Sequence, residues 1–67
     1  MNLQQFELLA RLLRAHGDSK EGCRLVLVDG YRQCDAARAL NISPVLIAVS
    51  IKKYRTVFSD IKQAFTD

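Results

Sequence analysis

Residues 23–34 read CRLVLVDGYRQC, and the fold class turns on whether this stretch is a β-hairpin or a helix end followed by a helix start. LVLV has strand propensity, and Asp29-Gly30 between apolar runs is a two-residue hairpin signal. A hairpin needs a second strand, and YRQCDAARAL is a poor one because Ala36, Ala37 and Ala39 favour helix. The helix reading is therefore preferred, over residues 19–29, ended by Gly30, with Cys23, Val26 and Leu27 facing inward. Asp18 or Ser19 caps it, with Glu21 or Gly22 in its first turn.

Toward the N-terminus, Leu3, Phe6, Leu9 or Ala10 and Leu13 follow helical spacing and predict a helix over residues 2–16, stopped by Gly17. Leu8 and Leu12 widen its apolar stripe. Toward the C-terminus, a third helix runs from about Arg32 to Leu40 and stops at Asn41, a residue that tolerates the left-handed conformation of a tight turn. Ile42 then points inward, Ser43 caps, and Pro44 takes the first helical position, where its missing N–H costs nothing. VLIAVSIKKYRTVF continues as helix, with Leu46 or Ile47, Ser50 or Ile51, Tyr54 and Phe58 as its buried stripe. Ser59-Asp60 caps a last short helix, or the preceding helix simply continues. The expectation is an all-α small domain of four to five helices with a central helix-turn-helix, and 67 residues suffice for one domain, residues 1–67, with one small core.

Charge is distributed unevenly. Residues 1–31 balance four basic side chains against four acidic ones, whereas residues 32–55 set Arg32, Arg38, Lys52, Lys53 and Arg55 against Asp35 alone. The surplus behind the net charge of +3 thus lies in the segment that reads as helix-turn-helix. Cys23 and Cys34 fall inside helical patterns and are read as two buried, reduced thiols. No signal-peptide pattern or run long enough to span a bilayer is present, so a cytoplasmic location without membrane contact is expected.

Two helices that cross closely around a short turn need several small or apolar positions at once. Ala37 lies where the helices approach, Leu40 and Ile42 bracket the turn, and Ile47 and Ile51 return to the core. The run RLVLVDGYRQCDAARALNISPVLIAVSIKKYRTVFSD resembles the TrfB/KorA group of plasmid-encoded transcriptional repressors, whose members carry a similar VLVDG segment leading into a helix-turn-helix. It is more distantly similar to the PapB-type fimbrial regulators, through HGD early on, LV, a glycine turn and Arg before the motif. The resemblance covers about residues 23–60. It implies a small all-helical, dimeric, operator-binding repressor whose second motif helix enters the major groove.

Carried onto this chain, the resemblance makes Gln33 the start of the first motif helix, where such proteins often contact a phosphate. Ser43, Pro44, Val45, Ala48, Val49 and Lys52 fall on the groove-facing side of the second. Family members place polar side chains, often Arg or Gln, at some of these positions, whereas here Pro44 and Val49 stand instead. Three physical answers remain open. Val45, Ala48 and Val49 pack on thymine methyl groups while Ser43, Arg32, Lys52, Lys53 and Arg55 hold phosphates. Alternatively, specificity comes from DNA shape, with several copies supplying affinity. Or the Val/Ala/Val face binds a partner protein, which makes the chain a non-enzymatic interaction module.

Enzymatic activity is not expected, since Cys34-Asp35 and Ser59-Asp60 lack a suitably spaced His or Lys. Two Cys and one His without close spacing do not make a zinc site, and no cofactor or metal is expected. His16 reads as a cation near the C-terminal carbonyls of the first helix. Tyr31 and Tyr54 read as core-edge packing. A domain of this size makes few contacts, so a homodimer on half-sites roughly 34 Å apart is the expected form on double-stranded DNA. Tyr54, Val57, Phe58, Ile61 and Phe65 form the candidate dimer surface, with the first helix as second choice.

Overall fold

A computed structural model describes residues 1–65 and contains four helices: α1 (Leu3–Leu12), α2 (Gly17–Leu27), α3 (Gln33–Leu40) and α4 (Pro44–Ala64). Among the described residues there is no strand: Leu25, Val26 and Leu27 are helical, the helix ends there, two residues short of the expected end, with Val28 as its C-cap, and Asp29-Gly30 is not a hairpin turn. The physical reason is the absence of a strand partner, together with the apolar spacing that sends Cys23 into the core and lays Val26 and Leu27 against it.

Each helix end has an identifiable cause. Asn2 opens α1 with a reciprocal capping box: its side chain accepts from the Gln5 N–H at 2.8 Å, and the Gln5 side-chain Oε1 accepts from the Asn2 N–H at 3.1 Å. α1 then stops four residues earlier than Gly17 suggested. Arg14 takes a left-handed φ of 54°, and the N–H groups of Arg14 and Ala15 close back on the carbonyls of Arg11 and Ala10. Gly17 instead opens α2, which its N-cap residue His16 enters without a side-chain cap bond. Neither Asp18 nor Ser19 is the cap: Asp18 lies in the first turn, and the Ser19 hydroxyl donates back to the His16 carbonyl at 3.2 Å. His16 therefore sits at a helix start and not beside C-terminal carbonyls.

α2 ends at Leu27, with Gly30 at φ 81° turning the chain. Asn41 closes α3 at φ 54°, bonding to the Arg38 carbonyl while Ile42 bonds to that of Ala37. Ser43 caps α4 by accepting from the Val45 N–H at 3.2 Å, and Pro44 holds its first position. Nothing breaks α4 at Ser59-Asp60, so it runs on for 21 residues and the helix count is four. Its length accounts for the elongated outline of 41 × 21 × 19 Å.

α2, α3 and α4 pack on one another, and α1 lies across α2 and α4 without touching α3. The buried centre is Phe6, Leu9 and Ala10 from α1, Cys23 from α2, Ala36 and Ala37 from α3, and Ile47, Ile51 and Tyr54 from α4. Alanines on α3 and Gly22 on α2 let backbones come close. A Cβ at Gly22 would stand 2.9 Å from both Cγ1 and Cδ1 of Ile47, which marks the tightest crossing of α2 over α4. Phe6 and Tyr54 stack in parallel at 5.1 Å, tying α1 to the middle of α4.

Two expectations are corrected by this packing. Cys34 is exposed near the start of α3, so only Cys23 is a buried thiol. Tyr54 is interior, which removes it from any dimer surface; Val57, Phe58 and Ile61 lean against the core, and Phe65 alone of that group is strongly exposed, at 87%.

Candidate nucleic-acid interface

The turn over residues 41–43 sets the orientation of α4, and the 3.6-residue period does the rest. Once Ile47, Ile51 and Tyr54 face inward, Val45, Ala48, Val49 and Lys52 must face out. All four are exposed, Val45 at 69% and Val49 at 52%. Ser43 and Pro44 are exposed at the tip of the helix. Lys53 and Arg55 flank the outward arc on opposite sides.

Two shallow concavities border this arc, and Lys52 belongs to both. On one side Gln33, Ala48, Lys52 and Arg55 line a concavity of about 400 Å³ that reaches down to Asp60. On the other, Leu13, Val49, Lys53, Thr56 and Val57 join Lys52 around one of about 380 Å³ with an apolar lining. Gln33, half-buried at the start of α3, is thus brought beside Lys52 and Arg55. Arg32, the N-cap residue of α3, is exposed but lines neither concavity.

Part of the positive charge elsewhere is paired within the chain, although Arg11 and Arg14 also make no ion pair among the described residues. In the first half of the chain Lys20 pairs with Glu7 at 3.6 Å, and Arg24 bridges Glu21 and Asp29, donating to the latter at 3.0 Å. The Arg24 guanidinium holds the Glu21 carboxyl below its ordinary range. Among the described residues Arg32, Arg38, Lys52, Lys53 and Arg55 make no ion pair.

Sequence reasoning missed three contributors. Thr56, one turn beyond Lys52, lines both concavities while its hydroxyl donates to the Lys52 carbonyl at 2.9 Å; its i+4 spacing was the available signal. Leu13 arrives from α1, a tertiary placement that no local pattern shows. Leu46, offered as an alternative to Ile47 for the core, is 46% exposed and extends the apolar patch at Val45.

Among the described residues no three His, Cys, Asp or Glu side chains gather as a metal site would require, and no helix is long and apolar enough to cross a membrane. No protein-family model matches the chain, nor does any curated protein or solved structure.

Proposed function

We propose that this protein is a non-enzymatic, cytoplasmic DNA-binding regulator, a repressor that acts as a homodimer and lays α4 along the major groove of its operator. The observation that carries the reading is the ring of unpaired, exposed cations around the outward arc of a helix that follows a tight turn. Arg32, Lys52, Lys53 and Arg55 hold backbone phosphates, and Gln33 assists beside Lys52 and Arg55. The Ser43 oxygen accepts from the Val45 N–H, so its own O–H is free for a phosphate as well. Val45, Ala48 and Val49, with Pro44 at the tip, offer methyl contacts to thymine in place of hydrogen bonds. Sequence preference is accordingly modest, and DNA shape supplies a share of it. The resemblance to plasmid-encoded TrfB/KorA-type repressors supports this reading. For the second copy, exposed Leu8 and Leu12 on α1, together with Phe65, are the surfaces left for self-association.

The test is fluorescence anisotropy of labelled duplexes, one of them from the DNA just upstream of the coding region. If the four cations each neutralise one phosphate, log affinity falls with log salt at a slope of about −3.6 per protomer, and Lys52→Glu with Lys53→Glu abolishes binding. Absence of salt-sensitive binding to any duplex overturns the proposal.

A second reading rests on the contiguous exposure of Val45, Leu46 and Val49, which is also what a partner helix would cover. On that reading Val45→Asp or Val49→Asp eliminates capture of a protein partner without unfolding the chain, and retained capture overturns it.

A further inference from the structure

The buried stripe of α4 runs on past the helices that cover it. Ile47, Ile51 and Tyr54 are enclosed and Phe58 and Ile61 are half-buried, but Phe65, next on the same stripe, is 87% exposed. Its N–H bonds to the Ile61 carbonyl at 3.2 Å, so it keeps the helical register. It is the most exposed large apolar side chain among the described residues.

One turn back from Phe65, a groove of about 290 Å³ lies between α1 and the end of α4, walled by Gln5, Leu8, Leu9, Phe58, Ile61 and Lys62. Leu8 is 52% exposed, and Leu12, one turn further along α1, is 57% exposed. Lys62 stands at the rim with its ammonium 5.5 Å from the centre of the Phe58 ring. Apolar walls with a cation over an aromatic side chain suit an incoming aromatic, because a second ring can take another side of that cation. Phe65 does not fold back into the groove of its own chain. An aromatic knob and a groove that accepts one thus share a single patch, which is the condition for a twofold contact between identical copies.

We infer that two copies pair through this end of the molecule, each placing Phe65 in the groove between α1 and α4 of the other. The inference rests on the homodimeric reading above and adds its surface and geometry. Area and spacing both favour a second copy. Two aromatic rings at about 150–250 Å² each, with Leu8 and Leu12 of both copies, approach the roughly 1,000 Å² that a biological interface needs, so the dimer is a modest one. With Phe65 of one copy against Phe58 and Ile61 of the other, the twofold axis passes near Lys62. At about 1.5 Å per residue the two Val49 positions then lie roughly 40 Å apart along antiparallel helices. The usual crossing of packed helices shortens this toward the roughly 34 Å between half-sites one DNA turn apart. The exposed arc of Val45, Ala48, Val49 and Lys52 lies toward the other end of α4, and pairing leaves it open.

Sedimentation equilibrium of the full chain without DNA, at high salt, tests the pairing. The mass is expected to climb with concentration from 7.6 kDa toward twice that. Phe65→Glu and Leu8→Glu each raise the dissociation constant by about tenfold or more, since each puts a charge into the contact. Both sites are exposed, so the fold is kept, and circular dichroism checks this. Val45→Glu, the same insertion of charge on the outward arc, leaves association unchanged. In a mixture of ¹³C-labelled and unlabelled chains, isotope-filtered NOEs are expected between the Phe65 ring of one copy and the Leu8 and Ile61 methyls of the other. A mass that stays at 7.6 kDa up to the solubility limit overturns the inference. So does a dimer that survives Phe65→Glu, or one whose intermolecular NOEs fall on other residues. A monomer whose duplex binding is salt-sensitive overturns the pairing alone, and a paired chain that binds no duplex overturns the DNA reading alone.

Discussion

α2 and α4 both carry basic side chains, yet they use them oppositely. On α2, Lys20 and Arg24 are tied to Glu7, Glu21 and Asp29, so their charge is consumed in holding α1, α2 and the following turn together. On α4, Lys52, Lys53 and Arg55 are exposed and unpaired among the described residues. The helices also differ in what they bury. α2 contributes Gly22 and Cys23, a place for another helix to rest, whereas α4 contributes the large side chains that rest there. A basic residue thus signals a binding surface only when its neighbours leave it unpaired. Changes on the contact between α2 and the inner face of α4 should alter stability, and changes on the outer face of α4 should alter binding.

The largest effect on that contact is expected at alkaline pH. Burial pushes the Cys23 thiol up to about 11 and the Tyr54 hydroxyl up to about 12. Their unfolded values lie near 9 and 10, so the unfolded chain loses protons first. Stability is therefore lost as pH rises from 9 to 11 for Cys23 and from 10 to 12 for Tyr54, by roughly 1.4 kcal/mol per pH unit for each group. Urea unfolding of wild type and Tyr54→Phe across this range checks it. The gap between them should move by about that amount per unit above pH 10, and parallel curves would show that the hydroxyl is not held in its neutral form.

Next in size is Gly22→Ala. The added Cβ meets Ile47, which is fully buried and has nowhere to move. Overpacking of this kind costs about 1–3 kcal/mol, against a gain of roughly 1 kcal/mol in helix propensity, so a net loss of about 1 kcal/mol is expected. Ile47→Val, which removes Cδ1, should recover part of it in the double variant. Duplex binding by the folded variant should be unchanged. A weakened affinity at full occupancy of the native state would mean that the two faces of α4 are not independent.

The charge contrast is sharpened by two truncations of the same residue type. Arg24→Ala removes hydrogen bonds to two carboxylates and should lower the unfolding midpoint slightly, an effect kept small by solvent screening, while duplex affinity stays as it was. Arg55→Ala should leave the unfolding midpoint in place and reduce the salt slope of duplex binding by about 1. An exchange of these outcomes would reverse the roles assigned to the two helices.

How much of this was legible in the sequence follows from which signals are local. Asn41, Ser43 and Pro44 declare a turn and a helix start through their own backbone preferences, and the period of Ile47 and Ile51 then dictates which residues of α4 face outward. The expected face of Val45, Ala48, Val49 and Lys52 is accordingly the one exposed. Tyr54 lay on the inner period as well, but whether it met solvent, a second copy or Phe6 depended on where α1 packs. The same holds for Leu13 at the apolar concavity and for Gly22, whose value as a crossing point appears only with Ile47 above it. Cys34 was misjudged because it follows the start of a short helix by one residue, before any inward period is established.

The smallest effect concerns the one helix end whose residue disagrees with its conformation. Gly17 drew the expected stop of α1 because glycine accepts a left-handed φ, and it does take one, at 70°, but α1 has already ended three residues earlier, where Arg14 adopts φ 54°. A non-glycine residue there pays about 1–2 kcal/mol in steric strain, whereas glycine would pay roughly 0.5–1 kcal/mol in lost chain entropy. Arg14→Gly should thus stabilise the fold by about 0.5 kcal/mol, seen as a higher urea midpoint with an unchanged slope. The residue is exposed, makes no ion pair among the described residues and lies on α1's side of the molecule, so duplex affinity should change only through the loss of one distant charge. A fall in stability would mean that the Arg14 side chain contributes more than its backbone costs.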